Sequence, residues 1–437
     1  MNVRATLPTL ILGLVSMLLS TSGFALNIQS WFTGNGARVL FVESHDLPIV
    51  DVRLTYRAGS ARDGQQYGIS RLVSALLVEG SGGRNAEEVA QAFESVGAQL
   101  GHSSLRDMAW TSLRSLSSPE ILARTVDTFA MVNGKPDFPT DAIERDRRAL
   151  LLSLSNRENE IESVVEDAFF HALYDQHAYE IGPHGKQVSL ESISREDLLA
   201  FHQRYYVARN ATLSLVGDLT IGQAKKYAEK VTRHLKQGQP AEALSPVKPP
   251  EQGRTVSIQF EASQSHIKQG LPVLSRKDPD YFPLYVGNHI LGGSGFSSRL
   301  VQEIRENRGL TYSVYSYFLP METNGPFQMA LQTRNDQVDE AGSLMQKLLE
   351  AYIENGPTEE ELTHAKKNIT GSFPLKLDSN KKIVNYLGVI GFYDLPLDYL
   401  DSFNQRVMAV TIDDIKDAFS RRVDPKRLVR VIVGDLS

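Results

Sequence analysis

The 437-residue chain has no cysteine. Disulfides, thiolate metal sites and lipid attachment at a processed cysteine are therefore excluded. The chain also lacks any cluster of Lys and Arg dense enough to release many counterions, and its formal charge is −6, so no nucleic-acid partner is expected. Long apolar runs are missing too, with one exception. Leu7 to Leu19 is mostly apolar and follows Arg4, the only charged side chain in the first 25 residues. Small residues Gly23 and Ala25 then stand where a signal peptidase reads. The pattern predicts an export signal over residues 1–25, cut after Ala25. A transmembrane anchor needs roughly 20 apolar residues. This run is shorter and begins beside Pro8, so no stable membrane anchor is expected. An exported chain without disulfides must be held by its core. That fits a bacterial periplasm better than a eukaryotic secretory route, with which the sequons at Asn210 and Asn368 are also compatible.

What is present is a globular composition, 41% hydrophobic and 22% charged, on a chain too long for one comfortable core. Arg38 to Glu43 and Ile49 to Tyr56 read as strands, followed by helices from Gly68 to Val78 and Ala86 to Val96. Leu105 to Leu116 reads as sheet, helical patterns fill Ile121 to Tyr206, and Ala211 to Asp218 reads as a buried strand. Residues 236–253, rich in Pro, Gly and Gln and without periodicity, predict a linker between domains at 26–235 and 254–437. After it the order returns: strands at Val256 to Phe260 and Ser265 to Leu271, a helix from Asp280 to Leu291, a strand at Phe327 to Gln332, and helices from Gln337 to Asn355 and from Glu359. The ends of the halves echo each other. Ser194 to Tyr206 (SREDLLAFHQRYY) matches Thr411 to Val423 (TIDDIKDAFSRRV), and each precedes a strand ending in VGDL. The expected fold class is α+β, an internal duplication with two largely antiparallel sheets covered by helices.

Between them lies the most informative stretch, Phe296 to Phe318. Ser294 and Ser297 offer N-cap oxygens, and Leu300, Val301 and Ile304 repeat as one buried helical face. Gly309 stands at a left-handed C′ position, and Leu310 to Phe318 alternates as a strand. Arg305 near the helix end and Tyr312 early on the strand can face one cavity across the turn. Each also has an ordinary structural reason to be there, the helix dipole for the arginine and strand preference for the tyrosine.

Leu291 to Val314 (LGGSGFSSRLVQEIRENRGLTYSV) resembles the C-terminal-domain signature of the M16 metallopeptidases (pitrilysin, insulinase, mitochondrial processing peptidase). The resemblance covers nearly all of the chain after the leader. It implies that Arg305 and Tyr312 bind substrate. It also implies a zinc motif, G-x-x-H-x-x-E-H, which aligns with Gly68 to Ala75 (GISRLVSA). Arg71 and Ala75 occupy the two histidine positions, Ser74 that of the glutamate base, and Ser153 lies near the third-ligand position. A guanidinium and a methyl group do not bind zinc. Glu158, Glu160 and Glu162 nearby read as a solvated helix face. His171, His177 and His184 are interrupted by Gly182-Pro183 and do not share a helical face, while His102 and His289 read as core residues. Gly292, Gly293 and Gly295 lack the lysine of a phosphate loop.

In two-chain members of this family, one subunit carries the zinc motif and the other the Arg/Tyr pair. The expected function is accordingly that of a zinc-less subunit with no metal of its own, closing on a zinc-bearing partner around an unstructured peptide. The other expectation from the same residues is a non-enzymatic scaffold or peptide-binding protein of the same fold.

Overall fold

The computed structural model describes residues 26–436; the expected export signal lies outside them. In chain order the strands of the first half are β1 (Gln29–Phe32), β2 (Arg38–Glu43), β3 (Ile49–Tyr56), the short hairpin β4 (Gly80–Ser81) and β5 (Arg84–Asn85), β6 (Gln99–Ser104), β7 (Ala109–Leu116) and β8 (Ala211–Gly217). The second half contributes β9 (Arg254–Gln259), β10 (Gln264–Leu274), β11 (Val314–Phe318), β12 (Gly325–Arg334) and β13 (Val429–Gly434). One sheet runs β1-β2-β8-β3-β7-β6 and the other β9-β13-β10-β12-β11. With β1 set aside, the two orders are the same. In each, the central strand pairs antiparallel on both sides, and a single parallel pair, β2 with β8 and β9 with β13, lies toward one end. This is the expected duplication.

Its echoes have physical causes. Ser194 and Thr411 each cap a helix in a reciprocal capping box, with Asp197 and Asp414 returning the bond to the cap residue's own N–H. The glycines of the two VGD segments sit where β8 and β13 crowd the central strand. A Cβ on Gly217 would fall 2.1 Å from the Ile49 carbonyl, and one on Gly434 2.0 Å from Ser265 Oγ.

Each sheet is covered on one face by helices of its own half and on the other by a helix of the opposite half. Ile161–Tyr174 lies across β10 and β13, where Phe169 and Phe170 pack with Val429, Val431 and Val433. Asn380–Phe392 lies across β2, β3 and β8, where Leu387 and Ile390 join a core containing Leu40 and Val216. Two cations mark the same place in the two halves. Arg53 on β3 is buried, pairs with Ser214 three residues before Gly217, and donates to Asn385 Oδ1 at 2.8 Å. Lys268 on β10 is buried, pairs with Val431 three residues before Gly434, and is ion-paired with Glu166.

Residues 236–253 carry neither helix nor strand. The segment is pinned to both halves: Arg62 donates to the Glu242 carbonyl at 2.7 Å, His177 Nε2 lies 2.9 Å from the Ser245 carbonyl, and Arg427 donates to that of Pro250 at 2.5 Å. The sheet expected from Leu105 begins instead at Ala109, because Leu105 to Met108 form the turn from β6, closed by Leu105 N–H to the Met108 carbonyl at 2.8 Å. No helix among the described residues is long and apolar enough to cross a membrane.

The exchanged helix Asn380–Phe392 seats tightly because it presents glycine. A Cβ on Gly391 would lie 2.2 Å from Thr212 Cγ2. Alanine there would gain about 1 kcal/mol of helix propensity, yet Gly391→Ala should lose stability, by about 1–3 kcal/mol of overpacking. Urea unfolding of the purified chain measures this; an unchanged midpoint would mean that the helix has room to spare.

Candidate functional site

The segment carrying Arg305 and Tyr312 is helical from Arg299, with a π-helical stretch over Val301–Glu306. Asn307 N–H bonds to the Gln302 carbonyl at 2.9 Å and Leu310 N–H to that of Ile304 at 3.0 Å, widening the last turn. Leu300, Val301 and Ile304 face the core, and Gly309 takes φ +62°. Two expectations are corrected. Ser297 bonds to Ser294 instead of capping the helix, and Gln302 N–H is met by the Ser298 carbonyl. The strand expected from Leu310 starts at Val314, because Thr311 Oγ1 donates to the Gln332 carbonyl and Thr333 Oγ1 to that of Leu310, tying this stretch to β12 through side chains. Tyr312 is thus on a loop and, as a residue, 76% exposed.

Arg305 and Tyr312 are brought together, as expected. The guanidinium carbon lies 4.8 Å from the Tyr312 ring centroid and also 4.8 Å from that of Phe296. A cation thus stands between two exposed aromatic faces, its Nε 3.3 Å from Glu306. Such contacts at the surface are worth about 0.5–1 kcal/mol each and mainly fix the guanidinium's position. Sequence reasoning missed Phe296. Its signal was a large aromatic placed directly after the glycine-rich turn GGSG, where it has no core to enter.

The positions aligned with the zinc motif lie on the helix Ile69–Leu76 and around it. Ile69, Leu72, Val73 and Leu76 form its buried stripe, Ser74 is buried beside them, and Arg71 is exposed. Ser74 Oγ is 3.5 Å from His102 Nδ1. His102 is not the core residue expected from sequence: it is exposed on the edge strand β6. Partial desolvation and then the Arg71 charge hold its pKa below the ordinary value, against the opposing charges of Glu79 and Asp146. Ser153 is exposed on the helix Thr140–Glu158, and the carboxylate on that helix that faces His102 is Asp146. Arg145 already engages both acids, Glu79 at 2.6 Å and Asp146 at 3.1 Å. A guanidinium and a methyl group in place of two imidazoles make a donor set that does not fit zinc. Among the described residues no group of three or more His, Cys, Asp or Glu is arranged to hold a metal ion.

The other histidines are dispersed among separate partners: His171 with Glu180 at 2.8 Å, and His184 with Asp167 at 3.5 Å. Glu158, Glu160 and Glu162 are exposed, as expected. His289 is half-buried and lines a cavity, again not the core position expected.

Comparison with known proteins agrees with this geometry. Residues 38–182 match the family described as insulinase (peptidase family M16), and residues 192–369 match the peptidase M16 inactive domain. A crystal structure of a peptidase M16 inactive domain from Pseudomonas fluorescens is 38% identical, with a TM-score of 0.91 over 94% of this chain and 98% of that one. A non-peptidase homolog, YmxG, of Helicobacter pylori is 26% identical over 91% of each chain. An uncharacterized zinc protease, YmxG, of Bacillus subtilis is 24% identical over 80% of this chain and 85% of its own.

Two measurements test this site. Metal analysis of the purified chain should find no stoichiometric zinc, and one tightly held ion per chain would show that other donors complete a site. The second concerns Asp63, which caps the helix Ile69–Leu76 by accepting from Gly68 N–H at 2.7 Å and Ser70 N–H at 3.1 Å. Burial pushes its pKa from 3.8 up to about 7, against those two bonds. The folded state therefore keeps a proton that the unfolded chain has lost, and the stability from Asp63 falls as pH rises from about 4 to about 7. Urea unfolding across that range should show wild type losing ground to Asp63→Asn as pH rises. A constant difference between the two would mean that Asp63 titrates normally.

Proposed function

The chain belongs to the M16 (insulinase) peptidase family as an inactive homologue, and from that premise we propose that it is the zinc-less subunit of a two-chain peptidase. It lends Arg305 and Tyr312 to the active site of a partner with an intact H-x-x-E-H motif. The observation that carries this reading is the stack of Phe296, Arg305 and Tyr312, which turns outward. A pair serving only its own fold would be expected to enter the core, as Leu300 and Ile304 do from the same segment.

A zinc ion in the partner would supply the activated water. This chain's contribution is to hold and polarise the peptide. Arg305 brings donors in a rigid fork and Tyr312 one phenolic O–H, both suited to the carbonyl oxygen on which negative charge develops. The edge strand β6 carries His102 near Arg71, and among the described residues no strand covers its outer side, so it can pair with an extended peptide. On this reading residues 1–25 are removed on export, and the assembly works in a bacterial periplasm on unstructured peptides.

The test mixes the chain with its zinc-bearing partner and follows peptide cleavage, complex formation and melting together. Tyr312→Phe removes one donor without emptying space, so assembly and melting temperature should hold while turnover falls on the order of 10²-fold. Unchanged cleavage with both Tyr312→Phe and Arg305→Ala would assign the chain to a scaffold role.

A further inference from the structure

Behind the edge strand β11 the second half encloses a cavity of about 600 Å3, a size that suits a small organic ligand. Its walls come from the helices Tyr281–Asn288 and Glu359–Ser372, the π-helical His289–Gly293, β11 and Lys376. Arg276, Lys376 and His289 line it, and among the described residues no aspartate or glutamate does. The charge there is of one sign.

Arg276 is the unusual member. Its Nε is shut off from solvent with no hydrogen-bond partner. The next residue shows that a carboxylate was within reach of this segment: Lys277 is paired with Asp394 at 2.9 Å, and Asp394 also takes Arg38 at 2.7 Å. Arg276 has aromatic rings instead. Its guanidinium carbon lies 5.0 Å from the Tyr281 centroid, and Tyr281 stacks on Tyr285 at 5.8 Å with planes 6° apart. Lys376 closes the far end, with its ammonium 6.0 Å from the Tyr285 ring and 3.3 Å from its hydroxyl. The wall is a pair of stacked phenols with a cation at each end.

Asn288 is already committed to β11: Ser316 Oγ donates to its Oδ1 at 2.8 Å, and its Nδ2 donates to the Ser316 carbonyl at 3.0 Å. Its carbonyl and one of its two amide N–H groups are thereby taken. Arg276 is half-buried, and its Nε is shut off from water with no anion beside it, which is unfavourable, whereas a guanidinium's planar fork matches a carboxylate. We propose that this cavity binds an elongated organic anion with a carboxylate at each end, one on Arg276 and the other on Lys376, its body lying along Tyr281 and Tyr285. Two sources carry that chemistry, a free dicarboxylic acid and an acidic peptide with a free C-terminus.

The experiment uses the mature chain alone, so its outcome does not depend on the proposed partner. Calorimetry and thermal shift are run with suberate, with octanoate as a one-ended control, and with a Glu-rich tetrapeptide whose C-terminus is free or amidated. Saturable binding is expected for suberate or for the free-ended peptide, and whichever binds identifies the source. Arg276→Gln should weaken binding roughly tenfold or more without lowering the melting temperature, because it removes an uncompensated charge. Lys376→Gln should reduce suberate to the level of octanoate, and it keeps the test intact if the first variant misfolds. No saturable binding by any of these at millimolar concentration, or binding unchanged by both variants, would overturn the proposal. So would a large loss of stability in Arg276→Gln with binding retained, which would make Arg276 a packed structural cation.

Discussion

The two sheets are held in one molecule by the exchange of covering helices. Neither sheet can shield its second face with its own half: β10 and β13 are closed by Ile161–Tyr174, and β3 and β8 by Asn380–Phe392. The exchange buries aromatic and aliphatic side chains, among them Phe169, Phe170, Leu387 and Ile390, each worth about 1.5–3 kcal/mol. It also buries a cation in each half. Arg53 is answered by Asn385 and Lys268 by Glu166, so each buried cation takes its polar partner from the opposite half. The turn between β6 and β7 adds a polar tie. Asp107 accepts from Tyr179 at 2.6 Å, from Tyr393 at 2.8 Å and from Glu322 N–H at 2.8 Å, joining both halves at one carboxylate.

Because the halves are equivalent, they present equivalent edges, and the sequence has treated the two differently. β6 ends one sheet and β11 the other. Along β11 the outward backbone is met by Asn288 at Ser316, and a Cβ on Gly292 would come 2.6 Å from the Ser316 nitrogen. That edge is covered, as solvent-facing edges often are. In the helix and loop before it, Arg305 stands against Phe296 and Tyr312. β6 carries His102 beside Arg71 and has no strand on its outer side. One scaffold thus yields a helix-borne cation near one edge and an unpaired ladder at the other.

The duplication was legible because its markers are local. Capping residues at Ser194 and Thr411 are fixed by short-range geometry, and Gly217 and Gly434 recur in the same short VGD motif. Arg305 and Tyr312 were legible for a similar reason, the turn at Gly309 that sets them face to face. What was hidden depended on contacts distant in sequence. Periodicity gives Ile161–Tyr174 a buried stripe but does not say which sheet receives it. His102 looked like a core residue because it lies near apolar segments, and only the sheet order places it on an edge strand. Tyr312 was assigned to a strand that gives way where Thr311 and Thr333 bind backbone with their side chains.

The loss of the metal ligands left the fold intact, and the helix Ile69–Leu76 shows why. Its contribution to the core rests on Ile69, Leu72, Val73 and Leu76, and its start on Asp63. Arg71 and Ala75 lie off that stripe, Arg71 exposed and Ala75 half-buried. Exchanging an imidazole for a guanidinium or a methyl group at such positions removes metal affinity without opening a cavity. A guanidinium brings a charge that open solvent can hydrate, and Ala is the best of helix formers. Arg145 then pairs with Glu79 and Asp146, so the carboxylates facing this cluster are not left unpaired. Folding and metal chemistry occupy different faces of one short helix, which is why a chain can give up the second and keep the first.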